Sequence, residues 1–385
     1  MGMNILNARV LLPGGEIRQA DLRLEDGVIT EVGTAGPHNG GTVNAGGLLA
    51  LPGIVDLHGD GFERHIMPRP GVSFSRDLGL LDTDRTMTAN GITTAFHGLT
   101  YSWEPGLRGR DAALEFLQDY AKLKPRLGCD TLLHLRFETY NLPALDEVAS
   151  WLRRGMVDML AFNDHVDHMF GHVDNHDKMS GYTHRTGLDR DEFMELLGRV
   201  HARREEVSAG IERLASIARE EGIPMASHDD PDPEVRSWYN GLGCSISEFP
   251  LDEVTARAAR NMGDAIVLGA PNALRGKSHI ARLMARDAIR EGLCDALTSD
   301  YYYPSQLQAA FALAREGVCD FPSAWSLVSE GPAVAAGLAD RGRIEQGRRA
   351  DLVLVDDSDP FLPFAAMTIS RGKPVFTANG LGCPG

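Results

Sequence analysis

Paired cysteines are missing from this chain. Its five thiols (Cys129, Cys244, Cys294, Cys319, Cys383) show no CxxC spacing, which excludes a zinc knuckle and a disulfide frame and fits incidental thiols in a reducing cytoplasm. Positive charge is scarce: 38 Lys and Arg against 54 Asp and Glu leave a formal net charge of −16. That balance speaks against a nucleic-acid-binding surface. No apolar run reaches the length of a membrane span, and the opening Met-Gly-Met-Asn-Ile-Leu lacks the basic and apolar regions of a signal peptide. Neither nucleic acid nor membrane is therefore expected as a partner, and the expected compartment is the cytoplasm. Internal repeats, heptads and low-complexity tracts are absent too. What remains is 385 residues, 43% hydrophobic and 24% charged, enough for a large barrel and a smaller accessory layer. A homo-oligomeric state stays open.

The ends and the middle differ in pattern. Residues 3–12 and 17–24 are short apolar or alternating runs split by Pro13-Gly14-Gly15, and 48–51 continues them. The tail repeats the theme at 349–356 and 367–376. This predicts a small composite β-sandwich from 1–52 plus 341–385. Residues 53–340 alternate strand and helix, with strands expected at 53–58, 92–97, 131–138, 158–163, 224–228, 245–248, 265–269 and 296–299. Helical patterns fall between them at 112–123, 208–220, 251–261 and 280–291. Eight β-then-α units predict an α/β, TIM-like (β/α)8 barrel. One stretch, 164–191, is rich in His, Asp, Gly and Met and reads as a long lid-like loop after the fourth strand.

The chemistry lies where the expected strands stop. His58-Gly59-Asp60, Glu138, His165, His228 (followed by Asp229-Asp230) and Asp300 each fall at or beside a strand end. A buried strand has no structural need for such a residue, and burying one unpaired is costly. Imidazoles and carboxylates at the C-terminal mouth of a barrel are suited to a divalent metal. Each has a bland reading: a capping Asp, an ion pair between Glu138 and Arg136, or satisfied core histidines at 165 and 228. Together, His58, Asp60, Glu138, His165, His228 and Asp300 form a ligand set for one or two divalent ions. Asp300 is also the candidate catalytic base, and Asp229 and Asp230 are candidate carboxylates for orienting imidazole. His168, His172, His176 and His184 in the expected lid lack structural-zinc spacing and read as solvated.

After the seventh strand, Gly269 to His279 contains Arg275-Gly276-Lys277-Ser278-His279. Two cations, a hydroxyl and an imidazole ahead of a helix suit a phosphate cradle. With Arg69, they would supply the local positive charge that the net balance denies and bind a small phosphorylated substrate. A solvated basic turn is the competing reading.

The opening Leu-Pro-Gly-Ile-Val-Asp-Leu-His (51–58) and the tail Gly-Arg-Arg-Ala-Asp-Leu-Val-Leu-Val-Asp (347–356) resemble the amidohydrolase superfamily. Within it, Pro68-Arg69-Pro70, His134-Leu135-Arg136-Phe137-Glu138, Ala226-Ser227-His228-Asp229-Asp230, Ser247-Glu248-Phe249-Pro250 and Ser299-Asp300-Tyr301-Tyr302 resemble the phosphonate-metabolism (PhnM) members. The resemblance implies cleavage of α-D-ribose 1-methylphosphonate 5-triphosphate to the 5-phosphate and pyrophosphate at a zinc-type site. In that site HxD stands where most relatives have HxH, and Glu138 where many have a carboxylated Lys. Two loops depart from the pattern: Val166-Asp167-His168-Met169 replaces Ser-Pro-Gly-Gln, and Ile280-Ala281-Arg282 replaces a Ser/Gly-Asn continuation. The strand count also sets Glu138 and His165 one strand earlier than the superfamily pattern. Two rival functions remain: a cyclic-amide or N-acyl amino-acid amidohydrolase acting on a C–N bond, and a non-catalytic barrel, which should have lost ligands that this chain keeps.

Overall fold

The computed structural model describes residues 2–34, 40–69, 71–171, 173–276 and 283–378. In its middle, eight parallel strands run in chain order: β1 (Ile54–Gly59), β2 (Ile92–Tyr101), β3 (Asp130–Glu138), β4 (Met159–Asn163), β5 (Met225–His228), β6 (Ile246–Glu248), β7 (Ala265–Gly269) and β8 (Ala296–Thr298). Each bonds to the next, and a parallel bridge between Gly59 and Asp300 joins the last to the first. Asp56 reinforces that seam. Its buried carboxylate accepts the Ser299 N–H at 2.9 Å and the Ser299 hydroxyl at 2.5 Å, which offsets the cost of taking a carboxylate out of water.

The barrel strands are apolar on both faces because helices cover the outside and side chains fill the inside. Val55, Leu57, Phe96, Met159, Ala161 and Val267 belong to one buried cluster, with Ala333 and Ala336 packed into it. Only the C-terminal rim is left for polar chemistry.

Both chain ends contribute to a separate mixed sheet. The strand Gly2–Leu11 forks it at a bulge between Ile5 and Ala8: its first half pairs Gly41–Asn44 and its second half pairs Leu49–Pro52. Leu49–Pro52 then pairs antiparallel with Leu352–Asp356 from the tail. At the start of β3, Asp130 forms ion pairs with Arg341, Arg349 and Arg371, tying the tail to the barrel.

The eight expected strands are present, with bounds within one residue except for β2, which runs four residues past its expected end to Tyr101. The segment 164–191 is different: it is not a loop. It holds the helices Val166–Phe170 and His176–Thr186 and leads into Arg190–His201. Caps explain these helices. The Asn175 side chain accepts the Lys178 N–H, Gly187 closes the second helix in the left-handed region, and Asp189 forms a capping box with Glu192. Met169, Met179, Tyr182 and Phe193 form a buried apolar stripe, which the intervening polar residues hide in the sequence.

Gly53, just before β1, is fixed by close packing. A Cβ there would lie 2.2 Å from Thr93 Oγ1 and 2.9 Å from Thr93 Cβ, and Thr93 is fully buried. Gly53→Ala is expected to cost about 2 kcal/mol or more in urea unfolding. Adding Thr93→Ala should recover part of it; an unchanged midpoint for Gly53→Ala alone would count against this packing.

Candidate active site

Glu248, the last residue of β6, organises the rim. It is fully buried and lies among three imidazoles. His58 Nδ1 and His228 Nδ1 each donate to its Oε2 at 3.2 Å, and His134 Nδ1 is 3.9 Å from Oε1. Burial alone would raise the carboxyl pKa, but His134, His58 and the two hydrogen bonds hold it well below the usual carboxylate range. Burial opposes a charge on His58, yet the Glu248 carboxylate outweighs it and lifts that imidazole above its ordinary value. For His134 burial outweighs the Glu248 charge, and with the neighbouring His58 and Arg136 it pushes the imidazole down to about 4.

The imidazoles share a pattern. His134 Nδ1 donates to the Leu57 carbonyl at 3.0 Å, and His165 Nδ1 lies 2.6 Å from Glu138 Oε1. Each of the four is thus anchored at Nδ1, which leaves Nε2 to present a lone pair when the ring is neutral. His58 and His228 stack at 5.3 Å between centroids, and Phe249 meets both rings edge-on.

Asp60 and Asp300 form the other side. Their oxygens and a His58 nitrogen lie within 4.8 Å of one another. Asp60 Oδ2 accepts from Arg136 Nη1 at 3.0 Å. Burial, then the Asp60 charge, pushes the Asp300 carboxyl up to about 6. Three rim residues with side chains adopt positive φ: Asp229 at 58°, Phe249 at 55° and Asp300 at 54°. Each follows within two residues of a barrel strand's end, and such backbone costs about 1–3 kcal/mol per residue and clusters at functional sites. The cleft above, about 610 Å³ including its open mouth, is lined by His58, Arg136, His228, Asp229, Phe249 and Asp300 among others.

The six ligand-type residues expected from sequence all lie on this rim. His165 sits two residues past β4, whose last residue is Asn163. Asp230 does not orient an imidazole. It is buried and bonds Ser227, Ser247 and Arg236, bracing β5 against β6. The carboxylate that orients His228 is Glu248, and the sequence reading overlooked it, with His134. The signal was present in Ser247-Glu248-Phe249-Pro250 and in the spacing of His134 to Glu138.

The expected phosphate loop is partly helix, Ala270–Arg275. Arg275 is exposed at its end, and Arg69 is exposed as well; neither lines the cleft. Lys277, Ser278 and His279 lie outside the described residues. His168, His176 and His184 are exposed as expected, and His172 is outside the description. Tyr303 is buried against Gly59 and Gly61, whereas Tyr302 is exposed.

No family model matches the chain. A curated relative does: the α-D-ribose 1-methylphosphonate 5-triphosphate diphosphatase of Escherichia coli is 30% identical over 380 residues, 97% of this chain and 100% of that protein. The chain belongs to the phosphonate-metabolism (PhnM) family of the amidohydrolase superfamily. It is a metal-dependent hydrolase by that membership. Solved structures agree on the fold. N-isopropylammelide isopropylaminohydrolase from Burkholderia multivorans matches at a TM-score of 0.65 and 18% identity, covering 97% of this chain and 98% of that one. Dihydropyrimidinase from Brevibacillus agri matches at 0.65 and 14%, covering 98% and 95%. No helix among the described residues is long and apolar enough to cross a membrane.

The rim fits the divalent metal that this family implies. His134 Nε2, Glu138 Oε2 and Glu248 Oε1 are buried polar atoms with no hydrogen-bond partner. Leaving such atoms unmatched costs about 1–3 kcal/mol each, and a cation would satisfy them. Three groupings have ligand atoms within 4.8 Å of one another: His58 with His134 and Glu248, His165 with His228 and Asp229, and His58 with Asp60 and Asp300. Imidazole nitrogen with carboxylate oxygen suits a first-row ion such as zinc or manganese.

Proposed function

We propose that this chain is a cytoplasmic diphosphohydrolase that cleaves α-D-ribose 1-methylphosphonate 5-triphosphate to the 5-phosphate and pyrophosphate. The full-length likeness to the curated diphosphatase carries this reading. The site residues are His58, Asp60, Glu138, His165, His228 and Asp300, to which the rim geometry adds His134 and Glu248. Zn2+ is the first choice of metal and Mn2+ the second, in one or two positions. The metal, when bound, polarises water and stabilises charge developing on phosphoryl oxygen.

The chain's own groups do the rest. The imidazoles present Nε2 because Glu248, Glu138 and the Leu57 carbonyl hold their Nδ1 atoms. Asp300 takes the proton from water as its oxygen adds to phosphorus. The bond between the α and β phosphoryl groups breaks, and pyrophosphate leaves as the anion. Buried free thiols at Cys129, Cys244 and Cys294 support the compartment.

A second reading, hydrolysis of a C–N bond, draws on the dihydropyrimidinase and aminohydrolase neighbours, whose likeness concerns the fold. A panel containing the ribose triphosphate, a dihydropyrimidine and an N-acyl amino acid separates the two. Pyrophosphate release abolished by a chelator and restored by Zn2+ or Mn2+ is the expected result. Ring opening or deacylation without pyrophosphate release would transfer the chain to the second reading.

A further inference from the structure

We propose that Arg136 is the anion-binding residue of the cleft, gripping a non-bridging phosphoryl oxygen pair of the substrate through its Nε and Nη2 edge. This rests on the triphosphate reading above and extends it to the group that recognises phosphate.

Three observations lead there. Arg136 comes from β3, is almost fully buried, and lines the cleft beside His58, His228 and Asp300. A guanidinium in a barrel mouth must find acceptors. Its passage across β2 depends on Gly98, where a Cβ would stand 3.2 Å from Arg136 Cδ. Among the described residues lining the cleft it is the single guanidinium or ammonium group.

An open donor edge alone does not make a binding group, since the structural Arg349 also leaves Nε and Nη2 without a hydrogen bond. Arg136 differs in that its open edge belongs to a side chain lining the cleft. Three other arginines close the Nε and Nη2 fork on a carboxylate: Arg108 meets Glu63 at 3.1 and 2.8 Å, Arg185 meets Glu104 at 2.6 and 2.6 Å, and Arg110 meets Glu147 at 3.1 and 2.7 Å. Arg136 reaches Asp60 with Nη1 alone, at 3.0 Å. Among the described residues, no group accepts from its Nε, which is buried and unpartnered, and none takes Nη2. The fork that matches two oxygens of a carboxylate or phosphate is therefore the edge left over. A neutral cyclic amide offers it isolated carbonyl oxygens, whereas a phosphoryl group offers an anionic oxygen pair; the carboxylate of an N-acyl amino acid would match it too, so the triphosphate reading decides between them. The Asp60 bond fixes the guanidinium plane, so the fork is ordered before the ligand arrives.

The test is calorimetric titration of pyrophosphate into the zinc-loaded full chain, as wild type, Arg136→Met and Arg136→Lys, with metal content measured for each. Arg136→Met should weaken pyrophosphate binding roughly 10- to 100-fold at unchanged metal stoichiometry. Arg136→Lys, which keeps the charge and lacks the fork, should recover only part. Binding within twofold of wild type in Arg136→Met would overturn the proposal, as would loss of metal, since the residue would then be serving Asp60. If Arg136→Met fails to fold, the Lys variant decides: unchanged pyrophosphate affinity there overturns it too. The two readings fail separately. Arg136-dependent pyrophosphate binding without triphosphate hydrolysis by the wild type sinks the function and keeps the anion site. Hydrolysis with Arg136-independent pyrophosphate binding does the reverse.

Discussion

Replacing Glu248 with Gln is expected to weaken divalent-metal binding at least 10- to 100-fold, and hydrolysis with it, while the far-UV circular dichroism of the barrel persists. The side chain keeps its volume, so packing at the end of β6 changes little. What changes is the charge that His58 and His228 share. Both donate Nδ1–H to one Glu248 oxygen at 3.2 Å, which fixes the tautomer that turns Nε2 toward the mouth. Removing such a carboxylate behind a metal-binding imidazole commonly costs 10–100-fold in affinity, and here two imidazoles depend on it. The pH dependence of the metal-free protein has a definite sign. His58 is raised above its ordinary value once the carboxylate has outweighed burial. Its contribution is therefore fully present below the unfolded histidine pKa and lost as pH rises through the folded one. Glu248→Gln should flatten that loss. Elemental analysis after dialysis and competition with a chromogenic chelator measure the affinity; a variant that holds metal as tightly as wild type would remove Glu248 from its orienting role.

The barrel was legible because buried parallel strands are short apolar runs, and eight of them alternate with helical patterns. The rim was legible where a strand stops on a residue that an apolar environment does not tolerate, as at His58, Glu138 and His228. Glu248 escaped although the expected strand 245–248 stops on it: β6 is only three residues long with Ser247 at its centre, so no apolar run makes a carboxylate there stand out. His134 lies inside β3, four residues before Glu138, in a position that reads equally as a core histidine. Its difference from one is the unpartnered Nε2, a three-dimensional fact. The loop reading of 164–191 failed for a different reason: Asn175, Asp189 and Gly187 are loop-type residues in composition, yet they act as helix caps. Phosphate recognition was sought in a contiguous basic motif, of which Lys277, Ser278 and His279 lie outside the described residues; Arg136, a cation that faces the cleft, comes from within a strand and carries no such local signal.

Asp300→Asn is expected to lower kcat roughly 10²–10⁴-fold, the usual worth of a positioned general base, and to make the metal-free protein more stable. Both effects come from one placement. Asp300 lies past the end of β8 with φ of 54°, a region that Asn tolerates as well as Asp, so the substitution leaves the backbone unstrained. Burial, then the Asp60 charge beside it, pushes its carboxyl up to about 6. Between the unfolded value near 4 and that folded value, the native state binds the proton more tightly than the unfolded chain. Stability of the metal-free protein should then fall as pH rises across that window, by an amount on the order of 3 kcal/mol. Asn carries no such charge, and the slope should vanish in the variant. A bound cation reverses the preference: it favours the carboxylate, so metal uptake below pH 6 should release a proton and weaken as the pH drops. In the loaded wild type the rate should climb with pH as the base loses its proton; the residual rate of Asp300→Asn should lack that limb. Thermal melts of the metal-free pair from pH 4 to 8, set beside pH–rate profiles of the loaded pair, contain the whole argument. A variant that melts like wild type at pH 7 and retains the acidic limb would show that the proton accepted from water goes to some other group on the rim.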